Sequence, residues 1–200
     1  MRGLFVAFEG VDGCGKSTQA RRVATARGAH FTFEPGDSPL GADLRRWVLD
    51  ASTPMSPVTE ALLMLADRSH HVRTVIEPLR ARGTHVVSDR FAASSLAYQG
   101  YGRGVDLVEL RAATNLAIGT CVADLTVLLD VAPEVANARR APDARDRFES
   151  ADAGFHDRVR QGYLEMAAAD PAHWFVVDGA REIEDVSAAI DARLDELTWA

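Results

Sequence analysis

The sequence predicts an α/β fold, a parallel sheet of about five strands with helices on both faces, and three observations lead there. Short apolar runs alternate with helical periodicity, a glycine-rich segment joins the first run to the first helix, and an acidic residue closes each run. Residues 4–8 form the first strand and end at Glu9-Gly10, and a helix follows from about Lys16 to Ala26. Further strands are predicted at His30–Phe33, His85–Ser88, Leu125–Leu129 and Trp174–Val177. Glu9, Glu34, Asp89, Asp130 and Asp178 each follow a strand directly, at the carboxyl edge where open α/β sheets bind their ligands. Strand ends also carry polar residues simply because the chain re-enters water, so these five acids gain weight only from their neighbours.

Between the strands, apolar positions from Ala61 to Leu79 fit one long helix or two in succession over Pro57–Arg82, with Pro78 near the end. Helices are also predicted at Asp106–Ile118 and Ile183–Leu197. From Arg139 to Ala153 the pattern turns charged and contains Pro142, which predicts a mobile, solvated loop. The 200 residues show no internal repeat and no dividing linker, so one domain over 1–200 is expected.

Composition removes several classes of function. No apolar run approaches the roughly 20 residues that cross a bilayer, and residues 4–8 are too short for a signal peptide, so a cytoplasmic protein without membrane partners is expected. A net charge of -7 argues against binding a nucleic acid polymer, which requires a basic surface, yet suits a small anion in a local pocket. Cys14 and Cys121 lack the spacing of a metal site or a redox pair.

The strongest signal is Gly10-Val11-Asp12-Gly13-Cys14-Gly15-Lys16-Ser17, a GxxxxGK[ST] phosphate-binding loop set between a strand and a helix. Its glycines let the backbone close around phosphate, and the positive end of the helix faces the anion. Lys16 is then placed to bridge the β- and γ-phosphates of ATP and Ser17 to sit on Mg²⁺, with Gly10, Asp12, Gly13, Cys14, Gly15 and Thr18 as further donor contacts. The loop leaves the phosphate acceptor open.

After the third strand come Asp89-Arg90-Phe91, Ser94 to Gly100 and Gly102-Arg103-Gly104, and with the loop this run closely resembles bacterial thymidylate kinases. The resemblance extends, in order, to Glu34-Pro35-Gly36, Ala66-Asp67-Arg68 with His71, Asp124-Leu125-Thr126, Asp146-Arg147-Phe148-Glu149 and Phe155 to Tyr163. It implies the P-loop nucleoside monophosphate kinase fold, a lid in the charged loop around 139–153, a homodimer built on the long helices, and transfer from ATP to dTMP. By the same resemblance Asp89 holds Mg²⁺ with Ser17, Arg90 grips the acceptor phosphate, Arg68 contacts thymine and Tyr98 packs on the deoxyribose. Ser95 and Gln99 lie beside the base, and Glu34, Pro35 and Asp12 complete the acceptor site. The family's catalytic arginine sits in the loop or in the lid; Gly13 stands at the loop position, so Arg145 and Arg147 are the candidates. A phosphate acceptor is already ionised and needs no general base.

The sequence departs from the family where Phe33 replaces an arginine before Glu-Pro-Gly and Met64 replaces a phenylalanine that stacks on thymine. One expectation is that Phe33 turns into the acceptor pocket and substitutes for the ring lost at Met64. Kinases for another pyrimidine nucleotide or for a nucleoside, with Glu34 as base, stay open, as does a nucleotide-binding module without turnover. A switch GTPase is disfavoured by the missing NKxD motif.

Overall fold

A computed structural model describes residues 1–139, 147–148 and 153–197. Five strands, β1 (Phe5–Glu9), β2 (His30–Phe33), β3 (Val86–Asp89), β4 (Leu125–Asp130) and β5 (Trp174–Asp178), form one sheet in the order β2-β3-β1-β4-β5, and every pairing is parallel. Each strand anticipated from sequence is present with its ends within a residue or so.

The central strand shows why the fold is parallel. All five residues of β1 are buried, as expected where helices cover both sides of a sheet. Val6 and Phe8 belong to the apolar cluster that holds Ala20, Val23, Ile190 and Leu194, whereas Phe5 and Ala7 belong to a second cluster with Val72, Ile76 and Ile118. Alternation along one strand thus feeds two core layers.

The covering elements are α1 (Lys16–Ala26), α2 (Pro39–Leu49), α3 (Pro57–His71), α4 (Glu77–Ala81), α5 (Ala92–Ser95), α6 (Leu107–Ile118), α7 (Pro133–Ala138), α8 (Ala153–Ala169) and α9 (Ile183–Asp195). The long helix read over 57–82 is α3 and α4 joined through a π-helical turn at Val72–Ile76, and Pro78 is tolerated in the first turn of α4. Ser56 caps α3 and Ser38 caps α2, each with proline following, a strong start signal. A second π-helical stretch, Leu96–Gly102, follows α5 and carries Tyr98 and Gln99.

Arg80 fastens the amino edge of the sheet. Its guanidinium donates to the carbonyls of Gly3 (2.9 Å) and Val122 (3.0 Å) and to Asp124 (2.6 Å), and the same Asp124 oxygen accepts from the Phe5 amide at 2.7 Å. Removing the cation takes a donor from the Gly3 and Val122 carbonyls and leaves Asp124 without its ion-pair partner, though the Phe5 amide still donates to it. The Asp124 side chain is 35% exposed, so solvent softens the loss. Arg80→Ala is expected to lower unfolding free energy by about 2 kcal/mol, read from urea melts.

Candidate active site

The glycine-rich loop curls back at the carboxyl end of β1, with Gly10, Gly13 and Gly15 all at positive φ. Gly10 has φ 139°, and a Cβ there would lie 2.6 Å from the Leu129 carbonyl oxygen, so no other residue fits. The Cys14 amide turns back onto the Val11 carbonyl at 3.3 Å, and its buried thiol lies under the loop. No side chain caps α1, which leaves its first amides for an anion. Lys16 reaches back over the loop to the Val11 carbonyl (3.4 Å) and Asp12 (3.3 Å). Ser17 and Asp89 line the same cavity as Lys16, and the buried Asp89 Oδ1 has no hydrogen-bond partner among the described residues. A serine hydroxyl and one acid facing a phosphate cavity fit Mg²⁺, which keeps most of its shell as water and phosphate oxygens. Among the described residues no group of three or more His, Cys, Asp or Glu gathers for a metal. Beside the loop runs a cleft lined by Gly15, Thr18, Arg139, Gly179 and Ile183, with room for the rest of a nucleotide.

Arg90 is the hub of the site. Its φ of 75° is left-handed, rare for a side chain with a Cβ, and two bonds hold it: its amide donates to the Phe8 carbonyl (2.9 Å) and its carbonyl accepts from Ser88 Oγ (2.7 Å). The guanidinium then reaches Asp12 (2.5 Å), Tyr98 (3.0 Å), Ser94 (3.1 Å) and the Gly10 carbonyl (3.3 Å), so it spans from β3 to the loop after β1. Tyr98 also donates to Asp12 at 2.8 Å. Burial pushes the Asp12 carboxyl up, but Arg90 and then Lys16 outweigh it and hold the group well below the usual carboxylate range. Beneath, fully buried Glu9 accepts from the Phe91 and Ser94 amides and from the Ser94 and Tyr163 hydroxyls. Burial drives its carboxyl upward against those bonds.

A second cavity opens on the other side of Arg90, walled by Pro35, Leu49, Met64, Tyr98, Gln99 and Phe148. Phe148 meets Tyr98 edge to face with 5.5 Å between ring centroids. One helical turn past Met64 lies Arg68, with no exposed surface; Nε donates to Glu34 (2.7 Å) and Nη1 to Ser95 (2.7 Å). The other Glu34 oxygen is held by His71 Nδ1 at 2.8 Å. Burial raises the Glu34 carboxyl, yet Arg68 and His71 overcome it and the group stays below its ordinary value. Among the buried polar atoms without a hydrogen-bond partner in the described residues are Arg68 Nη2, a donor, and Gln99 Oε1, an acceptor.

A family model described as thymidylate kinase matches residues 8–190. The chain belongs to the thymidylate kinase family. It is similar to the thymidylate kinase of Desulforudis audaxviator, 46% identical over 98% of this chain and 92% of that one. A second relative, the thymidylate kinase of Clavibacter michiganensis, is 45% identical over 100% of this chain and 98% of that one. Among solved structures, the thymidylate kinase of Ehrlichia chaffeensis superposes with a TM-score of 0.80 at 27% identity, covering 98% of this chain and 99% of that one. The five-stranded sheet is therefore the nucleoside monophosphate kinase fold of that family.

Among the described residues, the structure gathers most of those that the sequence singled out and sets two apart, Phe33 and Arg147. Phe33 lies on the phosphate-side cavity with Lys16 and Asp89, and is absent from the walls around Met64 and Gln99. Its ring stacks with Phe31 at 6.4 Å, since both share one face of β2, while Thr32 points the opposite way to His71; the expected replacement of the missing ring is not seen. Phe148 is the additional ring on the acceptor cavity. Arg147 donates to the carbonyls of Val48 (3.0 Å), Asp50 (2.6 Å) and Thr53, and so closes the end of α2. Arg145 lies outside the described residues, as does most of the predicted lid. Arg45 went unnoticed in the sequence although it lines both cavities; its guanidinium donates to the Pro35 carbonyl at 2.6 Å and lies over the Phe33 ring at 5.9 Å. The helix period of α2 carried the only clue to it. Of the five strand-end acids, Asp130 is taken up by Arg160 (2.7 and 2.9 Å) and Asp178 by the Ala180 amide (2.9 Å), so these two serve the scaffold.

Asp67 gives this region a pH dependence. It is 1% exposed, and burial followed by the nearby Glu34 charge raises it to about 6, against the pull of His71, Arg68 and the Gly36 amide. Gly41 in the first turn of α2 comes so close that a Cβ would lie 2.3 Å from Asp67 Oδ1. Between the unfolded value near ~4 and about 6 the folded chain binds the extra proton, so stability falls as pH rises through that window. Asp67→Asn is expected to raise unfolding free energy by up to ~3 kcal/mol at pH 8 and to leave it unchanged near pH 3. Denaturant melts at both pH values check this, and an equal gain at both would contradict it.

Proposed function

We propose that the chain transfers the terminal phosphoryl group of ATP to dTMP, with Mg²⁺, giving ADP and dTDP. The observation that carries the acceptor assignment is the pair of unsatisfied atoms beside the second cavity. An unpaired donor on Arg68 and an unpaired acceptor on Gln99 complement the O4 acceptor and N3–H donor of thymine or uracil. Cytosine presents the reverse pattern on that edge, and both atoms would stay unpaired against it. Met64 and Phe148 supply the apolar wall.

The chemistry rests on positioning and charge. Lys16 is already at the mouth of the loop, where it donates to the Val11 carbonyl and to Asp12, and exchanges these for the β- and γ-phosphates. Ser17 and Asp89 would hold Mg²⁺, which would supply charge neutralisation at the donor phosphates. Arg90 is preorganised by Asp12 and Tyr98, and its planar fork suits the acceptor phosphate. Arg45 adds a second cation between the two cavities, at the place where Phe33 has removed one. Arg145 is the arginine we assign to the transferring phosphoryl group, because the Arg147 guanidinium is spent on carbonyls at the end of α2. A nucleoside acceptor is disfavoured because both Glu34 oxygens are committed to Arg68 and His71, and a carboxyl held below its ordinary value is a weak base.

The same reading makes the chain a single-domain cytoplasmic enzyme. Among the described residues, no helix is long and apolar enough to cross a membrane. A homodimer through α2, α3 and α6 fits the exposed Trp47, Leu62 and Leu116 on those helices.

A coupled ADP-release assay with ATP, Mg²⁺ and single acceptors tests the assignment. kcat/KM for dTMP is expected to exceed that for dCMP by about a hundredfold or more, with dUMP within roughly tenfold of dTMP because only a methyl differs. Preference for dCMP would refute the acceptor reading. Lys16→Ala is expected to lower kcat by roughly 10²- to 10³-fold with the melting temperature little changed, since the residue acts by charge from a loop.

A further inference from the structure

The thymine-directed face of Gln99 depends on which end of its amide points into the cavity. An amide can present oxygen or nitrogen from one and the same rotamer family, so something must break the tie. In this protein the tie is broken by Glu60. Its carboxylate, 2% exposed in the first turn of α3, accepts from Gln99 Nε2 at 3.0 Å, and Arg103 Nε pairs with the same oxygen at 3.4 Å. A carboxylate paired with arginine accepts hydrogen bonds and has none to give. Gln99 must therefore turn its nitrogen to Glu60 and its oxygen, buried and unpartnered, to the acceptor cavity.

We infer that Glu60 is a specificity-determining residue: acting through Gln99, it sets the enzyme to read a pyrimidine with an N3–H donor and to reject one with an N3 acceptor. The inference rests on the acceptor reading above and deepens it. Glu60 does not line the cavity and is a positioning residue, two contacts away from the base: Glu60 to Gln99, then Gln99 to N3. Arg103 in turn is sandwiched against Phe155, with its guanidinium carbon 4.6 Å from the ring centroid, which fixes the cation that keeps Glu60 an acceptor.

The test is Glu60→Gln, which preserves size but can either accept from or donate to Gln99 and so frees the amide to flip. Glu60→Asp, which keeps the charge but withdraws it by one methylene, is the second variant. Both are assayed with dTMP, dUMP and dCMP after a thermal melt, beside the parent enzyme. The expected result is a fall of about tenfold in the ratio of kcat/KM for dTMP over dCMP, carried by a higher KM for dTMP and dUMP alike, with kcat little changed and dCMP flat or improved. A purely structural role would lower all three acceptors by a common factor, and that outcome overturns the inference, as does an unchanged ratio in whichever variant folds. Should neither fold, the crystal structure of the parent with dTMP decides: Gln99 Oε1 within hydrogen-bond distance of N3 with Nε2 on Glu60 upholds it, and any other arrangement overturns it. Failure of the parent itself to prefer dTMP over dCMP would instead fall on the proposed function.

Discussion

The site depends on the contact between Arg90 and Asp12. It joins the end of β3 to the loop after β1, two strands that are neighbours in the sheet, and does so at the point where both chains leave it. The left-handed backbone at Arg90 is what turns the guanidinium back over the loop instead of out along the strand. A lysine there would keep the charge but lose the planar fork that touches Asp12, Tyr98, Ser94 and the Gly10 carbonyl together. With Arg90 in place, Asp12 stays ionised and partners Lys16, and Tyr98 is oriented from its hydroxyl.

Two buried charge clusters flank this contact and divide the labour. Asp12, Arg90 and Glu9 gather beside the glycine-rich loop, whereas Glu34, Arg68 and His71 gather behind the cavity walled by Met64 and Gln99. Buried ion pairs are weak sources of stability, because desolvation offsets much of the attraction. The apolar strand β1 and the helices that clasp it hold the fold together; the charged clusters set geometry on that frame.

The fold was legible because its signals are local: a strand closed on both faces reads as a continuous apolar run, and Gly10 through Ser17 mark strand, loop and helix in one stretch. Arg68, Ser95, Tyr98 and Gln99 were legible through their order along the chain. What escaped was whatever depends on where a helix points. The π-helical course at Leu96–Gly102 leaves no periodic trace, Arg45 looks like any surface arginine of an amphipathic helix, and the parity of β2 puts Phe33 with Phe31 on the face away from Thr32 and His71. The strand-end acids show the same limit, since Asp130 and Asp178 are indistinguishable from Glu9 and Asp89 until their partners are seen.

The loss of an arginine at Phe33 is best understood through α2. The phosphate-side cavity gathers Lys16, Arg21, Arg45 and Arg90 against Asp12, Glu34 and Asp89, so a cation is still present on the β2 side, but it comes from a helix instead of a strand. A helix can serve only if it is held, and α2 is held at both ends. Ser38 caps its start, where Gly41 allows the close approach of Asp67; at its far end Arg147 gathers the carbonyls of Val48, Asp50 and Thr53. Phe33 then has a use that an arginine in its place would lack. Its ring gives the Arg45 guanidinium a face to lie against and brings no like charge beside it, so the aromatic substitution and the helix-borne cation form one arrangement.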